Sequence, residues 1–350
     1  MTQHRSAEPK RIRKQLRIVV IGGGKGSYNA LRGLSRRVVS LTAVVSMADD
    51  GGSSGRLRHE FGHLPPGDVR RCLLALSSGS PASLRRLFDY RFERGDGLDG
   101  HSFGNLMLTA LTEITGRTDL AIEEAGLLLQ ARGRVVPVTL SNTRLCAELE
   151  DGTVIRGEAQ IDVRETGSSQ RITRVFLDPP AIANPAALAA IQDADAVVIG
   201  PGDLYTSVIP NLLVSGVASA IRTTNATRIY VCNLVTKPGE TDGFRASDFI
   251  AEVQRYLGDS AALDHAIVNS TTEAIHQVIG FHAAPGAQPV VADLDRCRQL
   301  GPLLHPCTVM SDAHRAQHDP HRLANVILKL VGPAENRHER DSWKHLPTAV

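Results

Sequence analysis

The chain has 350 residues, 42% of them hydrophobic and 22% charged, with a formal net charge of +2. That balance suits one large globular domain or two smaller ones, and near-neutrality argues against nucleic acid as the main partner. An aromatic content of 4% offers few base-stacking platforms.

No apolar run reaches the roughly 18 residues of a membrane-spanning helix. The basic stretch 1–16 lacks the apolar core of a secretory signal and reads as a flexible arm. The cysteines, Cys72, Cys146, Cys232, Cys297 and Cys307, are scattered and odd in number, without a C-x-x-C spacing. A reducing, cytoplasmic setting follows, and a zinc site is disfavoured.

Arg17–Ile21 is a short apolar run with β-branched residues, as expected of a buried strand. Gly22, Gly23, Gly24 and Gly26 follow at once, where glycine lets a backbone turn sharply and a ligand approach closely. Ser27–Leu34 then has apolar residues at helical spacing, so the positive end of a helix faces whatever lies over the turn, typically a phosphate. The turn matches G-x-G-x-x-G imperfectly, and it is not a P-loop, because Lys25 precedes Gly26-Ser27. Leu41–Met47 predicts a second strand. It ends in Asp49-Asp50, where a βαβ nucleotide site places its ribose-binding acid. The same pair suits a Mg²⁺ ion, and the two readings stay open.

Leu57–Phe61 predicts a helical turn, and Pro65-Pro66-Gly67 breaks it. Asp68 is placed to cap the next helix, which carries Val69, Cys72, Leu73 and Leu76. Arg70 and Arg71 stand at that helix's start, either near an anion or simply solvated. Ser83–Phe92 is a further helix. Gly95, Gly97 and Gly100 make a loop into a helix over Ser102–Ile114. His101, Ser102 and Asn105 at its start form either an anion cradle or an ordinary cap.

Leu120–Gln130 predicts a helix and Arg134–Leu140 a strand. Leu145–Gln160 alternates around an Asp151-Gly152 turn, as in a hairpin, and Ile172–Leu177 adds a strand. Residues 134–178 therefore read as a β-rich insertion with an exposed polar loop at 164–170. The βα pattern restarts with a helix at Pro185–Ile191 and a strand at Ala194–Ile199. Gly200, Pro201 and Gly202 follow directly, with Asp203, Tyr205, Thr206 and Ser207 behind them, at a strand's carboxyl end, where open α/β sheets bind ligands. Further elements are expected at Leu212–Arg222 (helix), Arg228–Leu234 (strand, containing Asn233), Asp248–Leu257 (helix), His265–Asn269 (strand), Pro289–Ala292 (edge strand) and His321–Leu330 (helix). Residues 331–350 read as a frayed tail. The fold class is thus α/β: a Rossmann-like, mostly parallel sheet with helices on both faces and a small β-rich insertion, in one domain over 17–330. Three glycine-bearing loops, GGGKGS, ADDGGSSG and GPGDLYTS, should gather along one sheet edge.

ADDGGSSGRLR, LPPGDVRRCL, GHSFGNLML, RGRVVPVTL, CAELEDGTVIRGE, GPGDLYTSVIPNLLV and VCNLVTKPGETDGF occur in order between about Arg17 and Asn269. Together they resemble the YvcK-like gluconeogenesis-factor family, within the superfamily of CofD, the 2-phospho-lactate transferase of deazaflavin cofactor synthesis. The resemblance implies a cytoplasmic bacterial protein serving growth on gluconeogenic carbon, cell shape and wall synthesis. It also implies a UDP-sugar ligand, wall-synthesis proteins as partners, and room for a homodimer. The transferase branch implies Mg²⁺ and transfer of a phospholactyl-type group from a nucleotide diphosphate donor. A dinucleotide-dependent oxidoreductase is the third reading, from the first βαβ unit alone.

Carried over by motif, phosphates sit over Gly22, Gly23, Gly24, Lys25 and Gly26 and over Gly200, Pro201 and Gly202. Asp49 and Asp50 face the ribose or a metal. Ser53, Ser54, Asp68, His101, Ser102, Asn105, Tyr205, Ser207 and Asn233 line the pocket, and Thr236, Glu240 and Thr241 close it. Lys25 departs from the small or hydroxyl residue usual in the family's first loop. GGSSGRLR matches the YvcK-like branch rather than the transferase branch.

Overall fold

The computed structural model describes residues 16–37, 40–164, 170–270, 286–314 and 316–331. The expected arm, the tail from 332 and most of the 164–170 loop lie outside the described residues.

The first half runs β1 (Arg17–Gly22), α1 (Gly24–Leu34), β2 (Ser40–Val45), α2 (Gly52–Phe61), α3 (Gly67–Leu76), α4 (Ala82–Asp89), α5 (Phe103–Thr115), α6 (Thr118–Leu128) and β3 (Arg134–Pro137). Next come β4 (Arg144–Leu149), β5 (Val154–Arg156), α7 (Glu158–Asp162) and β6 (Ile172–Asp178). The second half runs α8 (Pro185–Gln192), β7 (Ala196–Ile199), a π turn (Leu204–Val208), α9 (Ile209–Leu212), α10 (Val217–Thr223), β8 (Thr227–Val231), α11 (Ala246–Leu257) and β9 (His265–Asn269). It closes with α12 (Leu294–Gln299), β10 (Leu303–Cys307) and α13 (Pro320–Val331).

Seven strands form one sheet in the order β10-β9-β8-β7-β1-β2-β3, every neighbouring pair parallel. The chain winds outward from β1 through β2 to β3, then returns to the other side of β1 and winds outward again from β7. The topological switch therefore lies between β1 and β7. Strands buried on both faces read as continuous apolar runs, and β1 shows why. Ile18 and Val20 pack into the core of one face while Val19 and Ile21 pack into the other. The second sheet is antiparallel, in the order β5-β4-β6. Its Leu145, Ala147, Val175 and Leu177 belong to the same core as Val19, Ile21, Val197 and Ile199.

Several expectations need correction. The run 134–140 is an edge strand of the main sheet ending at Pro137, so the β-rich insertion begins only after it. The hairpin's second arm stops at Arg156, and α7 replaces its predicted continuation. Pro289–Ala292 forms no strand; Pro289 makes one isolated antiparallel bridge to Val235, and the true outer strand is β10. The helix predicted over Leu212–Arg222 starts only at Val217, after α9 has ended at Leu212 and the chain has passed through Gly216 at φ +97°. The helix predicted over Leu57–Phe61 begins earlier, inside the glycine loop, at Gly52. No described helix is long and apolar enough to cross a membrane.

Candidate functional site

The loops after β1 and β7 meet at the switch point. A Cβ at Gly26 would lie 2.5 Å from the Pro201 carbonyl carbon and 2.8 Å from the Gly202 nitrogen, so the two backbones touch with no room for a side chain. Gly202 is less confined: a Cβ there would lie 3.2 Å from the Ser207 Cβ and 3.4 Å from the Gly23 carbonyl oxygen, and the Gly202 carbonyl accepts the Asn233 amide at 2.8 Å. Ser207 joins them, its hydroxyl 3.4 Å from where a Cβ on Gly24 would stand. Gly24 opens α1 at φ +65°, and no side chain of the preceding residue caps the helix. Beneath this loop the Ser27 hydroxyl is buried without a partner.

Contrary to expectation, Asp68 does not cap its own helix but reaches the start of α1. Its carboxylate accepts the Gly24 N–H, and a side chain at Gly23 would collide with it. An internal carboxylate thus stands against the helix end that suits an anion. Burial, and then the neighbouring charge of Asp49, pushes Asp68 up to about 6. Asp49 is raised by the same burial, although it accepts hydrogen bonds from Ser54 and from the Gly51 N–H. A side chain at Gly67 would strike both Ser54 and Asp49, which binds the second glycine loop to the start of α3. Arg71 lies 3.5 Å from Asp68 and supplies the nearby countercharge.

Asp50 has a structural partner that the sequence does not announce. One carboxylate oxygen accepts the Ala159 N–H at 2.7 Å, at the start of α7. The insertion thereby reaches the sheet's carboxyl edge and brings in Glu158 and Asp162, neither of them foreseen. Glu158 is pushed up to about 9 by burial first, then by the charges of Asp49 and Asp162. Lys237, after β8, bonds Asp162 at 2.7 Å and stands 3.9 Å from Asp203. Asp203 is raised by burial, which outweighs Lys237, Lys25 and Arg71. Glu240 accepts the Thr206 hydroxyl at 3.1 Å and the Tyr205 N–H at 3.3 Å, and burial pushes it up to about 8.

His101, Ser102 and Asn105 gather at the start of α5. Ser102 caps the helix, accepting the Asn105 N–H at 3.3 Å. The Ser53 hydroxyl lies 3.0 Å from His101 Nδ1 and accepts the Asn105 side-chain amide at 3.0 Å. Above them opens a cleft of about 700 Å³ lined by Asp50, Ser53, Arg56, His59, Glu60 and Arg91, among others. Arg56 and Arg91 hold the Asp99 and Gly100 carbonyls at 2.8 and 2.5 Å. Arg91 follows α4 in sequence, and nothing in its surroundings there signals a cleft.

Three predicted residues serve the scaffold. Tyr205 is a core side chain whose hydroxyl donates to Glu252 at 2.8 Å. Thr236 exchanges backbone and side-chain hydrogen bonds with Gln288, and Thr241 closes a turn by accepting the Lys237 N–H at 2.8 Å. Among the described residues, no group of three or more His, Cys, Asp or Glu side chains is arranged to hold a metal ion unaided.

The family model described as 2-phospho-L-lactate transferase CofD matches residues 18–306. A gluconeogenesis factor of Bacillus subtilis is 39% identical over 317 residues, covering 90% of this chain and 98% of its own length. A gluconeogenesis factor of Halalkalibacterium halodurans is 42% identical over 320 residues, covering 90% and 97%. A crystal structure of a UPF0052 family member from Bacillus halodurans superposes with a TM-score of 0.82 at 40% identity, covering 90% of this chain and 99% of that one. With the switch-point loops, the parallel sheet and these likenesses together, the chain belongs to the CofD family and, within it, to the gluconeogenesis factors.

Proposed function

We propose that this chain is a cytoplasmic regulator that binds a nucleotide sugar of the UDP class at the β1–β7 switch point. In this role it would couple carbon metabolism to cell-wall synthesis and shape. One observation carries the reading: Gly26 lies directly against Pro201 and Gly202, so two strand-end loops form one bare backbone surface at the head of α1. Asp68 holds the Gly24 N–H, so a diphosphate would use the remaining N–H groups of the two loops together with the α1 dipole. Calorimetric titration with UDP-N-acetylglucosamine tests it; binding without turnover is expected, and no heat together with no thermal shift overturns it.

The acidic surroundings favour a second reading, a Mg²⁺-dependent transferase. Two carboxylates plus substrate phosphates are the donor set Mg²⁺ prefers. Asp49 and Asp68 fit that set better than the expected Asp49–Asp50 pair, since Asp50 is engaged at α7. When bound, the ion would neutralise diphosphate charge, while Lys25, Arg71 and the loop amides orient the donor. Incubation with nucleotide-activated phospholactate and a deazaflavin alcohol should then give product; intact binding without product removes this reading.

A further inference from the structure

We propose that Ser53 and His101 form a nucleophile–base pair at the wall of the Arg56–Arg91 cleft, acting on a phosphate ester or phosphoanhydride. The Ser53 hydroxyl is 3.0 Å from His101 Nδ1, within reach for direct proton transfer. Asn105 donates to the Ser53 oxygen, and with His101 as the Nε2–H tautomer the Ser53 hydroxyl donates to the bare Nδ1. The same Asn105 donor would stabilise negative charge as it develops on that oxygen. Burial, with Arg56 nearby, lowers the affinity of His101 for a proton, so the imidazole is in its base form at neutral pH.

The surroundings suit a phosphorus electrophile. Ser53 lines the 700 Å³ cleft, and it lies in the first turn of the ten-residue helix α2, whose leading amides no side chain caps. Arg56, Arg91 and His59 face the same space, and both guanidiniums are aimed by backbone carbonyls. In the first step the Ser53 oxygen attacks phosphorus and its proton passes to His101. The bond from phosphorus to the leaving oxygen breaks, and that oxygen takes the proton. In the second step water attacks phosphorus, the phosphorus–Ser53 bond breaks, and His101 relays the water's proton back to Ser53.

A fluorophosphonate probe tests this on the full chain without any nucleotide sugar, so its outcome is separable from the switch-point reading. The Ser53 oxygen should displace fluoride and give a single adduct, mapped to Ser53 by peptide mass spectrometry. Ser53→Ala should abolish the adduct. His101→Gln, which can still hydrogen-bond but cannot take a proton at neutral pH, should slow labelling by about 100-fold or more at an unchanged melting temperature. Hydrolysis of bis(p-nitrophenyl) phosphate should fall in parallel. No adduct on Ser53 in the folded wild type overturns the proposal, as does a His101→Gln protein that melts like wild type and labels equally fast. Either result would leave Ser53, His101 and Asn105 as a structural tie between α2 and α5.

Discussion

Gly26 has no space for even a methyl group. Its missing Cβ would press on the backbone of Pro201 and Gly202, which cannot rotate away as a side chain could. Gly26→Ala should therefore cost about 1–3 kcal/mol of stability by overpacking. It should also weaken nucleotide-sugar binding by pushing the two switch-point loops apart. Denaturant melts and calorimetry read the two effects separately, and an alanine variant indistinguishable from wild type in both would place the ligand elsewhere. Glu158 makes a different residue-scale prediction. The fold raises its carboxyl from 4.5 to about 9, mainly by burial. Between those values the folded chain holds a proton that the unfolded chain has released, so the contribution of Glu158 is fully present below pH 4.5 and lost as pH rises toward 9. Glu158→Gln cannot ionise and should escape that loss. At pH 8 it should be more stable than wild type by up to about 4–5 kcal/mol, less where the site relaxes around the charge, with parity near pH 4. A Tm difference independent of pH would show that the Glu158 proton is not coupled to folding.

At the scale of elements, α7 shows where reading the sequence stops. The strand–glycine–helix order of β1 and α1 is legible because periodicity and glycine placement report local backbone geometry. The main-sheet strands other than β10 were legible for the same reason, since burial on both faces leaves unbroken apolar runs such as Ala196–Ile199, whereas the half-buried β10 has no such run. The five-residue α7 is too short to show a helical period, and what holds it is remote. Asp50 caps it from 109 positions away, and Lys237 holds its far end through Asp162. Asp68 misled for a related reason: its position beside Gly67 suggests a local cap, whereas packing of α3 against α1 sends its carboxylate to Gly24. Glu158 and Arg91 entered the site region in the same way, through tertiary contacts with no local signature. The proposed role of Asp50 at α7 is testable. Asp50→Ala removes the acceptor at the helix start and should cost about 0.5–2 kcal/mol. Faster hydrogen exchange should be confined at first to residues 158–163, since those amides depend on α7 being formed. Uniformly faster exchange across β1 and β2 instead would mean that Asp50 supports the sheet and not the insertion.

For the whole molecule, the question is whether the insertion is a separate folding unit. Its antiparallel sheet has its own hydrogen-bonding ladder, β5-β4-β6, and shares no strand pairing with the seven-stranded sheet. A three-stranded sheet of this size buries too little on its own to fold well. Its inward side chains, Leu145, Ala147, Leu149, Val175 and Leu177, instead continue the core that covers one face of β1 and β7. Removing them from that core would expose Val19, Val197 and Ile199, and removing the main sheet would leave the insertion half-covered. Each therefore stabilises the other, and one cooperative transition is expected. In hydrogen exchange at rising urea, amides of β4 and β6 should lose protection at the same concentration, and with the same slope, as those of β1 and β7. The outer strand β10, paired on one side only, should open first by a local route. If β4 and β6 opened well below the midpoint of β1, the continuous core would be energetically divided there. The insertion could then move independently of the Asp50–Gly51 loop that α7 packs against.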